Sequence, residues 1–188
     1  MIEIFNKISN RMLTGIMFHE QMADYFDFLD LRGLKRMHEN QSFKEMIAHR
    51  GLHRFVINYC GKLIDDSSIP VVAYIPQSWY NATRVNVDNS TRRQAVKESF
   101  DKWHTLELET KQIFEESFKE LTTNGKIMDA NKVNELICNV SMELKDLCRK
   151  LLEYKAVDYN MPYIMNQQDI MHEHYEKELE KEYHVKFC

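Results

Sequence analysis

The chain has 188 residues, 44% of them apolar, a net charge of −4, and only five glycines and three prolines. Length and apolar content suffice for one domain with a sizeable core, and the scarcity of Gly and Pro argues against a turn-rich β architecture and for long helices. The mild acidity gives no reason to expect a nucleic-acid or anionic-membrane partner, and no apolar run approaches the ~20 residues of a membrane span.

The start, "MIEIFNKISNRML", turns polar too soon for a secretory signal. Four scattered cysteines, Cys60, Cys138, Cys148 and Cys188, show no zinc-like spacing. The expectation is a cytoplasmic protein with reduced thiols.

Between proline breaks, apolar residues recur at helical spacing. The first helix is predicted from about Glu3 to Leu31, on a stripe of Phe5, Ile8, Met12, Ile16, Ala23, Phe26 and Leu29. Gly33 then reads as the left-handed residue of a tight helix–helix turn. A continuous helix through it is the competing reading, but it would run ~90 Å, too long for so small a chain to cover. The second helix is predicted from Leu34 to Ile64, with Met37, Phe43, Ile47, Leu52, Val56, Tyr59 and Leu63 inward.

Residues 65–90 carry no helical pattern and read as an ordered connection, with Tyr74, Trp79 and Tyr80 packing as a lid on the core. "DNST" offers N-caps to a third helix, Thr91 to Leu121, with Val96, Phe100, Trp103, Phe114 and Leu121 on one face. The turn "TTNGK" leads to a fourth helix, Asp129 to Lys155, through Val133, Leu136, Val140, Leu144, Leu147 and Leu151. The charged stretch 163–184 has a thin apolar face and reads as a fifth helix, loosely packed or frayed.

Short turns make antiparallel neighbours, so helices one and two form a hairpin, as do three and four. The connection could reach ~80 Å if extended, against ~42 Å for a helix of this length. It can therefore run the length of the bundle and start the third helix parallel to the second. The reading is all-α: a four-helix bundle of two antiparallel hairpins with a long crossover, plus a C-terminal helix.

This arrangement resembles the ferritin-like superfamily. The stretch "FLDLRGLKRMHENQSF", residues 28–43, is also similar to the first-helix end, turn and second-helix start of Dps-type ferritins. Gly33 is followed here by Met37-His38-Glu39, with shorter spacing, and Asp30 stands near the place of the histidine that Dps proteins carry before the turn. The resemblance implies iron or manganese held by core carboxylates and histidine, oxidative or storage chemistry, and assembly into a homo-oligomer. One departure is clear. Di-iron carboxylate bundles use a Glu from each of two helices and a Glu-x-x-His from each of the other two, and no Glu-x-x-His occurs within these four helices.

The topology serves as a ruler for a looser ligand set. Reflected through Gly33, Glu20 falls level with Met46, and the same height lies near His104 and Asp146. The candidate metal ligands are Glu20, Glu45, His49, Glu107 and Glu143, with His19, His53, His104 and Asp146 behind them. Glu107 stands out because it lies on the apolar stripe of its helix, where a buried carboxylate must be paired, protonated or metal-bound. His49 and His53, four residues apart, could grip one ion. By the same ruler His38-Glu39 lies at another height from His19-Glu20 and reads as first-turn surface or an interface. The competing expectations are a metal-free helical interaction protein with no cofactor and a protein partner, and a nucleic-acid-associated protein using Arg92, Arg93 and Lys97.

Overall fold

The computed structural model describes residues 1–67, 72–77, 79, 83–84 and 87–183. They form five helices: α1 (Ile2–Phe28), α2 (Arg32–Phe55), α3 (Asn89–Thr123), α4 (Ile127–Ala156) and α5 (Met161–Tyr183). The apolar stripes expected for the first, third and fourth helices are buried throughout.

The first turn is made differently from the expectation. Asp30, not Gly33, takes the left-handed conformation, at φ 61°. Leu31 N–H closes the end of α1 onto the Phe26 carbonyl at 2.9 Å. Aspartate tolerates this region because its short polar side chain bonds locally. Gly33 lies inside α2, and its lack of a side chain serves packing: a Cβ there would come within 2.5 Å of the Gln168 carbonyl oxygen and 2.8 Å of Met171 Cβ.

The second helix also stops short of Ile64. It passes into a π-helical turn, Val56–Cys60, which Gly61 ends at φ 61°. Tyr59 and Leu63, expected inside, are 70% and 78% exposed. The crossover is strapped to α1 by Gln21, whose amide donates to the Val72 carbonyl at 2.8 Å and accepts from Tyr74 N–H at 2.7 Å. Tyr74 packs edge-on against Phe18, and Trp79 against Tyr25 and Phe28. Tyr80 lies outside the described residues. Asp88 then caps α3 by accepting from Thr91 N–H at 2.7 Å.

The fifth helix is not loosely attached. It runs alongside α2 in the same direction and buries Ile164, Met171 and Leu179. No side chain of α2 caps its own N-terminus. Gln168 of α5 does so instead, accepting from Gly33 N–H at 2.9 Å and Leu34 N–H at 3.1 Å. Further along, Lys44–Glu178 and Arg36–Glu176 link the two helices. The basic pair considered for nucleic acid is engaged within the fold: Arg92 donates to the Leu29 carbonyl, and Arg93 pairs with Asp158.

Among the described residues two apolar cores result. One holds Phe18, Phe26, Leu34, Phe100, Leu151 and Tyr154 near the α1–α2 turn. The other holds Phe5, Ile8, Leu52, Val56, Phe114 and Val133 at the opposite end. Polar side chains fill the level between them.

Candidate metal centre

Each of the four bundle helices contributes one ionisable group to that level: His19 from α1, Glu45 from α2, Glu107 from α3 and Glu143 from α4. His19 is fully buried and Glu107 is 3% exposed. His19 Nε2 lies 3.3 Å from Glu45 Oε1 and 4.0 Å from Glu107 Oε1. These three groups are close enough to hold one metal ion. His19 Nε2 and Glu45 Oε2 are buried, and among the described residues neither makes a hydrogen bond of ordinary geometry. Buried polar atoms are usually satisfied, so an unsatisfied imidazole nitrogen 3.3 Å from one oxygen of a carboxylate whose other oxygen is also unsatisfied fits a cation at this place.

The surroundings orient the set. Trp103 Nε1–H donates to Glu107 Oε1 at 3.0 Å. His19 Nδ1 lies 2.7 Å from His38 Nδ1. His38 is itself fully buried, stacked on Phe26 and beside Phe18 and Trp103. Burial, and then the charge of His19, hold His38 well below the ordinary imidazole value, so it is neutral. Where His38 accepts at Nδ1, His19 carries a proton on Nδ1 and points Nε2 to the carboxylates, so that a bound ion would meet the Nε2 lone pair. A hydrogen-bonded partner of this kind fixes the tautomer of a metal-ligating imidazole.

Gly15 makes room. A Cβ at this position of α1 would collide with the Glu45 carboxylate. A cavity of about 1020 Å³ between α2 and α4 reaches the layer, with Gly15, Gln41, Glu45, Glu107, Asn139 and Glu143 among its walls.

Without a metal the layer holds protons. Burial, then the charges of Glu107 and Glu45, push Glu143 up to about 8. Burial alone would lower His19, but Glu45 and Glu107 outweigh it and raise the imidazole to about 9. Burial raises Glu45 too.

The structure divides the expected ligand set. Glu45, Glu107 and Glu143 face the bundle interior, joined by His19 from the second tier. Glu20 does not: it is exposed on α1 and accepts from Ser42 Oγ. His49 and His53 converge elsewhere, on Ser9 and Asp66. Asp146 is exposed and pairs with Arg149, and His104 is half-buried. His38, read as first-turn surface, is fully buried against His19. The ruler set His38 apart from His19 because it centred the turn on Gly33 rather than Asp30, whereas His19 reaches both His38 and Glu45, two turns apart on α2. The available signal was the spacing Leu34, His38, Gln41, Glu45, a helical stripe of mostly polar residues.

No protein-family model and no curated protein matches the chain. Solved structures do. One is a closed form of the Archaeoglobus fulgidus ferritin engineered by site-directed mutagenesis, with a TM-score of 0.74 and 12% identity, covering 91% of this chain and 93% of that one. Another is an iron-soaked variant of the ferritin PmFTN, with a TM-score of 0.72 and 13% identity, covering 90% of this chain and 97% of that one. Likeness at this identity speaks to the backbone and leaves the site to this chain's own residues. Two antiparallel hairpins, one long crossover and a C-terminal helix in that match make this a ferritin-like fold.

Proposed function

We propose that the protein binds iron at the layer between its two cores, with His19, Glu45, Glu107 and Glu143 as ligands. The observation carrying this reading is the orphaned, fully buried His19 Nε2, held toward Glu45 and Glu107 by His38. The iron-soaked neighbour adds support at the level of fold. A carboxylate-rich set with one neutral imidazole also suits manganese. When bound, iron would supply Fe²⁺/Fe³⁺ redox chemistry for oxidation or storage.

The chain's own residues do the rest. The three carboxylates balance the ion's charge, His38 and Trp103 hold His19 and Glu107 in position, and the cavity gives access. Homo-oligomerisation belongs to the same reading, supported by Met142 and Leu152 of α4, which are 60% and 70% exposed. Gel filtration with light scattering tests it.

Protein purified after iron supplementation is expected to carry iron, and Fe²⁺ or Mn²⁺ to raise its melting temperature. Glu107→Gln should remove the ion at this layer and sharply reduce both effects. No bound metal, together with no thermal shift from either ion, rejects the proposal.

A second reading keeps the layer metal-free, with imidazolium His19 paired to the carboxylates in an interaction protein. Ala48 and Asp146 favour it, since they stand three residues after Glu45 and Glu143, where a Glu-x-x-His pattern would place histidine. On this reading Glu107→Gln leaves the protein unchanged or more stable, because it removes a buried charge.

A further inference from the structure

A second cluster of ligating side chains lies one helical turn beyond Glu45. His49 and His53 face α1 from successive turns of α2, their Nε2 atoms 3.2 Å apart. Ser9 Oγ of α1 lies 2.7 Å from His49 Nε2 and 3.1 Å from His53 Nε2, and donates to Asp66 Oδ1 at 2.6 Å. Asp66 Oδ2 stands 3.1 Å from His53 Nε2 and 3.8 Å from His49 Nε2.

The backbone is shaped to bring Asp66 there. The π turn Val56–Cys60 winds the end of α2, and Gly61, left-handed, turns the chain. Asp65 N–H then bonds Asn6 Oδ1 of α1 at 3.0 Å, while the Asp65 carboxylate accepts from Ser67 N–H at 2.9 Å. Single π turns inside helices often accompany functional sites.

We propose that His49, His53 and Asp66, with Ser9 beside them, form a second metal site for a borderline divalent transition ion such as Zn²⁺. Bonds of ~2.0–2.1 Å to a tetrahedral ion put ligand atoms about 3.3 Å apart, and the separations of 3.1, 3.2 and 3.8 Å among the three ligands bracket that value. Two neutral imidazoles can share only one hydrogen bond between their Nε2 atoms, whereas a cation uses both lone pairs.

Two imidazoles and one carboxylate select against the hard, oxygen-seeking ions Mg²⁺ and Ca²⁺. The layer around Glu107 has the opposite balance, three carboxylates to one imidazole, so the two sites differ in preference. His53 and Asp66 are 28% and 27% exposed, which leaves the ion a path from solvent. Bound there, it would tie the start of the crossover to α1 and α2.

The test uses the full-length chain, stripped with a chelator and titrated with Co²⁺ under visible absorption and equilibrium dialysis. Wild type and Glu107→Gln are expected to develop the strong visible bands of four-coordinate Co²⁺, with Zn²⁺ displacing it. His53→Ala and Asp66→Asn should each weaken that binding tenfold or more and lose the bands. Because both residues are partly exposed, the metal-free variants should melt with the metal-free wild type.

Unchanged bands and stoichiometry in both variants would overturn the site, as would a Glu107→Gln protein that takes up no Co²⁺. Failure of the iron proposal is distinct: the wild type would then bind a single ion, which His53→Ala removes.

Discussion

His38 makes no contact with the proposed ion, yet on this geometry it decides how His19 meets it. Replacing it by leucine keeps the apolar cage of Phe18, Phe26 and Trp103 filled but removes the acceptor for His19 Nδ1–H. The imidazole is then free to change tautomer and turn its lone pair away from the carboxylates. Losing such a supporting partner typically costs 10–100-fold in metal affinity. His38→Leu should therefore weaken Mn²⁺ binding by about that factor in calorimetry, while the metal-free protein stays folded by circular dichroism. Affinity equal to wild type would show that His19 needs no support.

At the scale of elements, two glycines separate function from stability. Gly15→Ala places a methyl where the Glu45 carboxylate lies. The end of a flexible side chain can yield, and alanine is favoured over glycine in a helix by up to about 1 kcal/mol. The metal-free protein should melt within a few degrees of wild type, with metal affinity reduced at least tenfold. Gly33→Ala places its methyl against the backbone of α5, which cannot yield without the helix moving. Overpacking of this kind costs roughly 1–3 kcal/mol. The Gln168 cap over Gly33 and Leu34 would loosen with it, giving a lower denaturant midpoint and faster amide exchange in α5. A neutral Gly33→Ala would mean that α5 docks less tightly than the structure shows.

Sequence legibility follows the same line. The stripes of α1, α3 and α4 could be read because their interiors are apolar, and Glu107 could be singled out as the exception on one of them. The middle of α2 differs from its apolar pattern: Phe43 and Ile47 are expected on its inner face, yet Ile47 is 51% exposed while Gln41 and Ser42 are buried. A helix that lines a polar layer carries its polar residues inward, so hydrophobic periodicity points the wrong way where the site is. Local rules are expected to fail at such places. Asp66, the crossover residue of the proposed second site, had no signal in the sequence, since the π turn and Gly61 bring it back to α2.

For the whole molecule, the proposed function makes protons and metal compete for one layer, and stability should report the competition. His19 is raised to about 9 and Glu143 to about 8 in the folded protein. Their unfolded values are about 6.5 and 4.3. Between pH 7 and 8.5 the folded state therefore binds more protons than the unfolded one, and metal-free stability falls as pH rises. Each such proton contributes a slope of up to about 1.4 kcal/mol per pH unit. His38 and His49 are lowered and have the opposite sign, but they act only below about 6.5, where their unfolded forms gain protons. A bound ion takes the place of these protons and releases them, so affinity should rise with pH as metal-free stability falls. Melts at pH 7, 7.5, 8 and 8.5 with chelator should show a declining midpoint, and the same series with Mn²⁺ a flat or rising one. Glu107→Gln, with one fewer charge to hold the His19 proton, should flatten the chelator series. A metal-free midpoint that climbs across this range would mean that the layer carries no excess protons, and that its carboxylates and imidazole are not brought together as described.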